Sequence, residues 1–347
     1  MDLIIDIGSA KIGYVLLDSN GNTVAVKNEP SVVLQEKINI KINYLSGGNN
    51  ALEDYQKIRV GEYSTVSKLE GEISVNDKII ECGIIKDFSA VRFFILEICS
   101  SLKIKNSDVT VWALVTQAMD PGQRENTEKL FRSIGFKRIY VLDQIFPLTI
   151  MHQNGLFIDI GKDKTEIAVV YNNELVSGLV ANVGIKSFAE EFVLYCKNRY
   201  GLFVSNKEAL RAVTSINSVV FDNNKDRNDP ENRSVKITVS HTEENRSFIK
   251  EFTSEDLNMV IGRQIEKLNV IICRLLAMMD KNVTEKVKSY VLCYGGAFVV
   301  FGLNYMLRDF LGIKINLANN YKNYSMFIMA NVLKENREAL IKKLLGE

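Results

Sequence analysis

Residues 4–17 read Ile-Ile-Asp-Ile-Gly-Ser-Ala-Lys-Ile-Gly-Tyr-Val-Leu-Leu, and residues 157–170 read Phe-Ile-Asp-Ile-Gly-Lys-Asp-Lys-Thr-Glu-Ile-Ala-Val-Val. Each is an apolar strand, then Asp-Ile-Gly (Asp6 to Gly8, Asp159 to Gly161), a short polar turn and a second apolar strand. Alternation and β-branched residues on both sides predict a hairpin in each case. A helix is expected later in each half, over 90–102 and over 187–200. The second copy starts near the middle of a 347-residue chain. That placement predicts two related domains facing each other.

The turn itself suggests chemistry. A glycine directly after a strand lets backbone N–H groups close around an oxyanion, because no side chain blocks the approach. The aspartate before it suits a hydrated magnesium ion, a hard cation that takes carboxylate and water oxygens. One Asp-x-Gly reads equally well as an ordinary glycine-bearing turn. Two of them at half-chain spacing read as a pair that grips a nucleotide's phosphates.

Composition narrows the classes. Hydrophobic residues make up 46% and charged residues 24%, so disorder is not the theme. A formal net charge of +1 argues against a nucleic-acid partner. No apolar run reaches the length of a membrane span, and residues 270–276 read as a buried helix interrupted by Arg274. Met1-Asp2 carries no basic region of a signal peptide, so the cytoplasm is the expected location. Five widely spaced cysteines are expected to be small buried apolar residues, and two histidines leave little for zinc or a histidine triad. Four prolines leave Asn-Gly and Gly-Gly clusters to punctuate the chain, as at 19–22 and 47–50. Residues 221–230 read as a polar loop, and Trp112 as the core of a strand.

Further motifs extend the pattern. Asn28-Glu29-Pro30-Ser31-Val32-Val33 follows the first hairpin, and Gly83-Ile84-Ile85-Lys86-Asp87-Phe88 precedes the first helix. Lys207-Glu208-Ala209-Leu210-Arg211 and Cys293-Tyr294-Gly295-Gly296-Ala297 follow in the second half. In this order, over almost the whole chain, the series resembles the actin-like ATPase superfamily and, within it, the bacterial actin MreB family. The resemblance implies an α/β fold of actin-like type, a duplicated ribonuclease H-like unit with two domains around a central nucleotide cleft. It places domain I at residues 1–150, with a small lobe at about 31–75 and residues 321–347 packing back on it. Domain II takes 151–320, with a small lobe at about 183–252.

The resemblance also implies ATP or ADP with Mg2+ as cofactors and assigns roles. Asp6 and Asp159 organise magnesium and count with Gln144 as catalytic residues. Gly8, Ser9, Lys11 and Gly161 contact phosphate, Glu208 and Arg211 hold the nucleoside, and Gly295 and Gly296 pass close to adenosine. Departures from the family pattern are concentrated at the reacting end. Between Gly161 and Thr165 stand Lys162, Asp163 and Lys164 where the family has glycines and a threonine. Lys162 or Lys164 would then serve as a point charge toward phosphate. Gln144, in Asp143-Gln144-Ile145-Phe146-Pro147, falls where the family carries a water-orienting glutamate. An amide aligns water but accepts no proton, and Asp143 is the substitute base one residue away.

The resulting expectation is a cytoskeletal protein that binds ATP with magnesium and forms head-to-tail filaments supporting cell shape, with slow or impaired hydrolysis. The alternative is a non-hydrolysing structural subunit or scaffold that copolymerises with related actin-like subunits. A small-molecule kinase on the same fold lacks a recognisable acceptor base. Residues 335–345 have apolar positions at helical spacing and a basic face, which read as a packed terminal helix or as a peripheral contact with the inner face of the cell membrane.

Overall fold

The echo becomes two hairpins. In the computed structural model, β1 (Asp2–Ile7) and β2 (Lys11–Leu17) pair antiparallel, with Asp6 opposite Gly13 and Ile7 opposite Ile12. β3 (Thr23–Pro30) continues the meander. The structure describes residues 1–42, 51–60, 72–215, 234–241, 246–300 and 302–346. The polar loop at 221–230 and the turn at 47–50 lie outside them.

After β3 come β4 (Val33–Ile42), β5 (Ala51–Val60) and β6 (Glu72–Asn76), a small sheet in the order β5-β4-β6. A two-stranded pair follows, β7 (Ile80–Glu81) with β8 (Ile84–Ile85). Helix α1 (Phe88–Leu102) starts two residues earlier than expected, because Asp87 caps it by accepting from the Ala90 N–H at 2.9 Å. β9 (Thr110–Val115), α2 (Pro121–Ser133) and β10 (Arg138–Asp143) complete the first large sheet, ordered β10-β9-β1-β2-β3. β9 and β10 run parallel to β1.

The second half repeats this plan. After α3 (Leu148–Met151), strands β11 (Asn154–Ile160), β12 (Thr165–Tyr171) and β13 (Glu174–Ala181) form an antiparallel meander. Then come α4 (Ile185–Tyr200), β14 (Leu202–Phe203), α5 (Asn206–Ser215), β15 (Ser234–His241) and β16 (Ser247–Thr253), the three strands ordered β14-β15-β16. α6 (Ser254–Ala277) and α7 (Lys281–Lys288) lead to β17 (Val291–Tyr294), α8 (Leu303–Leu311) and β18 (Asn316–Leu317). β17 lies parallel to β11 and β18 parallel to β17, so the second large sheet is β18-β17-β11-β12-β13. Strand for strand, it has the order and directions of the first.

α9 (Tyr324–Glu335) and α10 (Arg337–Leu345) end the chain. Two compact units result: Met1–Gln144 with Ser325–Glu347, and Ile145–Tyr324. The first unit packs Ile5, Ile7, Ile12 and Leu16 with Val91, Phe94 and Ile95 of α1. The second packs Ile158, Ile160, Ile167 and Val169 with Phe188 and Phe192 of α4. Both faces of the first sheet are closed, since Met326 of α9 lies against Gly13 so tightly that a Cβ there would meet its side chain. Trp112 is a core residue, 1% exposed, and stacks on Tyr140. Its indole N–H donates to Asp2, which is 4% exposed and also holds Arg337 of α10 at 2.7 Å. A buried carboxylate so close to the chain start is thus a structural anchor, met by one cation and one neutral donor.

Two expectations need correction. Cys99, Cys196 and Cys293 are buried, but Cys82 and Cys273 are exposed. Cys82 sits at φ 50° in the turn joining β7 and β8, and Cys273 lies on the outer side of α6 beside Asn269. Burial pushes the Cys99 thiol up to about 11 and the Cys196 thiol to about 12, which keeps both protonated. The helix expected at 270–276 is α6, but it is amphipathic: Ile272, Leu275 and Leu276 are buried while Val270 is exposed.

Candidate functional site

The two glycine turns close alike. The Gly8 N–H donates to the Lys11 carbonyl at 3.1 Å, and the Gly161 N–H donates to the Lys164 carbonyl at 2.8 Å. Each is a four-residue connection between the last paired residues of its hairpin, Ile7 with Ile12 and Ile160 with Thr165. A Cβ on Gly8 would stand 2.8 Å from the Lys11 oxygen, and one on Gly161 would stand 3.3 Å from the Lys164 oxygen.

Different groups fasten them. In the first turn the Ser31 hydroxyl donates to the Gly8 carbonyl at 2.7 Å, and the Ser31 N–H donates to the Ala10 carbonyl at 3.2 Å. The Gly83 N–H donates to the Ser9 hydroxyl at 3.0 Å, which leaves that hydroxyl its own proton to give. The sequence motifs around Ser31 and Gly83 therefore act as braces of the turn, a role that the motifs alone did not assign.

In the second turn the brace is a helix start. The Ile185 and Lys186 N–H groups, at the beginning of α4, donate to the Gly161 and Lys162 carbonyls at 3.2 and 2.8 Å. This consumes two of the N–H groups that a helix start leaves without intrahelical partners. Gly184 makes the approach possible, because a Cβ there would lie 2.5 Å from the Lys162 oxygen. Thr165 adds a buried hydroxyl donating to the Val183 carbonyl at 2.7 Å. Lys164, expected to face phosphate, forms an ion pair with Glu166, whose side chain is 1% exposed against 13% for the lysine. Glu166 stands directly across the ladder from Asp159, so the two carboxylates share a face of the sheet.

Gly295 shows why that position is glycine. Its φ is 105°, and a Cβ would overlap both Asp159 Oδ1 and the Ile160 carbonyl. Tyr294 is buried beside Asp159 in the parallel ladder and tilts against Tyr324. Gly296 opens a single 3₁₀ turn to Val299, and the α-helix begins only at Leu303. Asp159, Gly161 and Gly295 thus converge at the carboxyl ends of β11 and β17. In the first unit Asp6 and Gly8 end β1, and Gln144 follows β10 with its N–H donated to Val115 of β9 at 2.9 Å. Carboxyl ends of parallel strands are where open α/β sheets receive ligands.

Asp143, weighed as a substitute base, is held by Arg124, which also reaches the Met119 carbonyl at 3.0 Å. Glu208 and Arg211 on α5 pair with each other at 2.7 Å. They also fasten β15: Glu208 accepts from the Thr238 N–H at 3.0 Å, and Arg211 donates to the Lys236 carbonyl at 2.6 Å. Arg211, then the Thr238 amide, hold the Glu208 carboxyl below its usual range.

Among the described residues no group of three or more His, Cys, Asp or Glu side chains forms a metal cage. Asp6 in the first unit and Asp159 in the second are partly exposed carboxylates at strand ends. A carboxylate of that kind suits a magnesium ion that keeps most of its waters, and does not suit an ion stripped into protein ligands. Among the described residues no helix is long and apolar enough to cross a membrane.

Comparison with known proteins places this geometry. The model of the MreB/Mbl protein family matches residues 1–340. The cell shape-determining protein Mbl of Bacillus subtilis (strain 168) is 23% identical over 359 residues, spanning 99% of both chains. Crystal structures of MreB5 of Spiroplasma citri bound to ADP and to AMPPNP superpose with a TM-score of 0.77 at 18% and 17% identity, covering 100% and 99% of this chain and 98% of theirs. The MamK double helical filament gives a TM-score of 0.69 at 12% identity, over 96% of this chain and 99% of that one. These likenesses identify the two matched sheets as an actin-like α/β fold. Matched from residue 1 to residue 340, the chain belongs to the MreB/Mbl family.

Proposed function

We propose that this chain is a bacterial actin homologue that binds ATP with magnesium through its two strand-end turns and polymerises into cytoskeletal filaments supporting cell shape, with slow or impaired ATP hydrolysis. The observation that carries this is the pair of Asp-Ile-Gly turns of one geometry, each at the carboxyl edge of a sheet of one topology. Support comes from relatives: the Bacillus subtilis protein is named for determining cell shape, the Spiroplasma citri protein was crystallised with ADP and AMPPNP, and MamK forms a double helical filament.

In this reading Asp6 and Asp159 would organise the hydrated magnesium, which supplies charge neutralisation of the phosphates. Gly8, Ser9, Lys11 and Gly161 would face the phosphates with backbone N–H groups, a hydroxyl and a cation. Gly295 and Gly296 would pass along the adenosine, and the Glu208–Arg211 pair would offer its remaining polar atoms to the nucleoside. Gln144 would orient the attacking water. Bound nucleotide would favour the subunit shape that makes head-to-tail contacts, and such contacts propagate because they do not close on themselves.

The second reading, a non-hydrolysing filament subunit that copolymerises with related actin-like chains, is favoured by one observation. Asp143 is already engaged by Arg124, and Gln144 beside it takes no proton. Membrane contact would fall to the outer side of α10, with Ile341 and Lys342, since Leu340 is buried and Arg337 is held by Asp2. The site of action would be the cytoplasm, at that membrane face.

Electron microscopy and phosphate release on purified protein, with ATP and magnesium, test both readings against Asp159→Ala. Filaments that need nucleotide and are lost in the variant are expected, with slow phosphate release. Filaments with no release above the variant's background would leave the second reading. Neither binding nor filaments would sink the proposal.

A further inference from the structure

The chain leaves the first unit after Gln144 and returns to it after Tyr324. α3, with His152 at its end, follows the first passage, and α9 begins at the second. The His152 N–H donates to the Leu148 carbonyl at 2.9 Å, which fixes the residue to the first passage through one short helical turn. Its Nε2 lies 3.3 Å from the Tyr324 hydroxyl, a hydrogen bond between residues 172 apart in sequence. One side-chain contact inside the second unit therefore joins both passages.

The surroundings of this contact are aromatic. The Phe157 ring of β11 is centred 5.0 Å from the imidazole, and Tyr290, just ahead of β17, stacks on it at 5.3 Å and 27°. Tyr324 in turn tilts against Tyr294 at 5.0 Å. Such a setting suits a neutral imidazole, which accepts at one nitrogen and donates at the other. An imidazolium donates from both and needs water that the rings keep away. Burial lowers the His152 pKa from its ordinary value, and burial raises the phenols of Tyr324 and Tyr290, so neither phenol offers an anion to an imidazolium.

We propose that His152 and Tyr324 form a pH-sensitive latch between the two passages, closed while the imidazole is neutral and opened by its protonation. An opened, hydrated His152 takes up its proton at about pH 6.5, before the closed one does. The latch thus has full strength above that pH and loses it as the pH falls below. Both passages carry residues of the candidate site. Gln144 closes the first unit's leading segment, and the Gly295 N–H donates to the Tyr321 carbonyl at 2.8 Å, shortly before the second passage. Opening loosens the backbone beside both, and the latch needs no nucleotide.

The test is hydrogen exchange on the full chain without nucleotide, taken relative to the intrinsic rate, at about pH 7.5 and about pH 5.5. The amides to follow are Met151 and His152 at the first passage, and Gly295 and Asn323 at the second, all hydrogen-bonded to backbone carbonyls. Wild type is expected to exchange faster at both passages together at the lower pH, by up to about tenfold per pH unit below about 6.5. His152→Gln keeps a hydrogen-bonding side chain that does not titrate, and is expected to lose that response at both. Tyr324→Phe keeps the ring without the hydroxyl, and is expected to raise exchange at both passages about fivefold at neutral pH, the worth of one neutral hydrogen bond.

A response confined to one passage, or an equal response in His152→Gln, overturns the latch. Should His152→Gln fail to fold, NMR titration of a His241→Gln protein decides, because His152 is then the single imidazole. A His152 pKa below the ordinary value of about 6.5 supports the latch, and one at or above it overturns the latch.

Discussion

The turn at 8–11 and the turn at 161–164 have one backbone and two ways of being held. The first is braced by neutral groups: a serine hydroxyl and amide from an extended segment, and a glycine amide on Ser9. The second is braced by a helix start and a buried ion pair. A duplicated fold therefore conserves where the backbone goes while its supports are exchanged. Glycine spacing is the common residue of both solutions, because the backbone oxygen at the far end of each turn crowds any side chain there.

The largest test of that contrast is Lys164→Ala. It removes one partner of the buried Lys164–Glu166 ion pair, and chemical denaturation is expected to show a loss of about 3–5 kcal/mol. Removing a brace of the first turn should cost much less: Ser31→Ala gives up one neutral hydrogen bond, about 1 kcal/mol. Equal losses would mean that the ion pair is no stronger a support than a hydroxyl. Between these lies Gly8→Ala, and Gly161→Ala falls below both. The first places a methyl 2.8 Å from a backbone oxygen and the second 3.3 Å, so about 2 kcal/mol is expected for Gly8 and less than about 1 kcal/mol for Gly161. Reversal of that order would mean that the second turn is the more rigid one.

The smallest expected effect is on pH. The folded Glu208 carboxyl sits below its unfolded value, chiefly through Arg211, so its contribution is present above the unfolded pKa and lost as pH falls through the folded one. Amide exchange in α5, taken relative to the intrinsic rate at each pH, should therefore be unchanged down to the ordinary glutamate range and rise only below it. A rise nearer neutrality would contradict the pairing with Arg211.

The hairpins were legible in the sequence because strand alternation and a following glycine are local signals. The common sheet order was legible only as an expectation from duplication, since Leu114 beside Asp6 and Tyr294 beside Asp159 are long-range pairings. What held the turns was hidden for the same reason. Nothing local to Gly184 announces that it must clear the Lys162 carbonyl, and nothing in Lys164 announces that its charge is spent on a neighbour two residues on. Glu208 and Arg211 were recognisable as a helical pair at three-residue spacing, but their grip on the β15 backbone was not. The exposed cysteines escaped because residue type reports average burial, while the side of α6 on which Cys273 falls depends on what the helix packs against.

The start of α4 has a practical consequence. Its first two amide protons belong, in bonding terms, to the glycine turn and not to the helix. Any shift of that turn lengthens two hydrogen bonds whose donors are Ile185 and Lys186, far along the chain from Asp159 yet one bond away from the turn. Those two amides are consequently natural probes: their exchange rates or chemical shifts would register the state of the turn directly, without a label placed on the residues proposed to bind nucleotide.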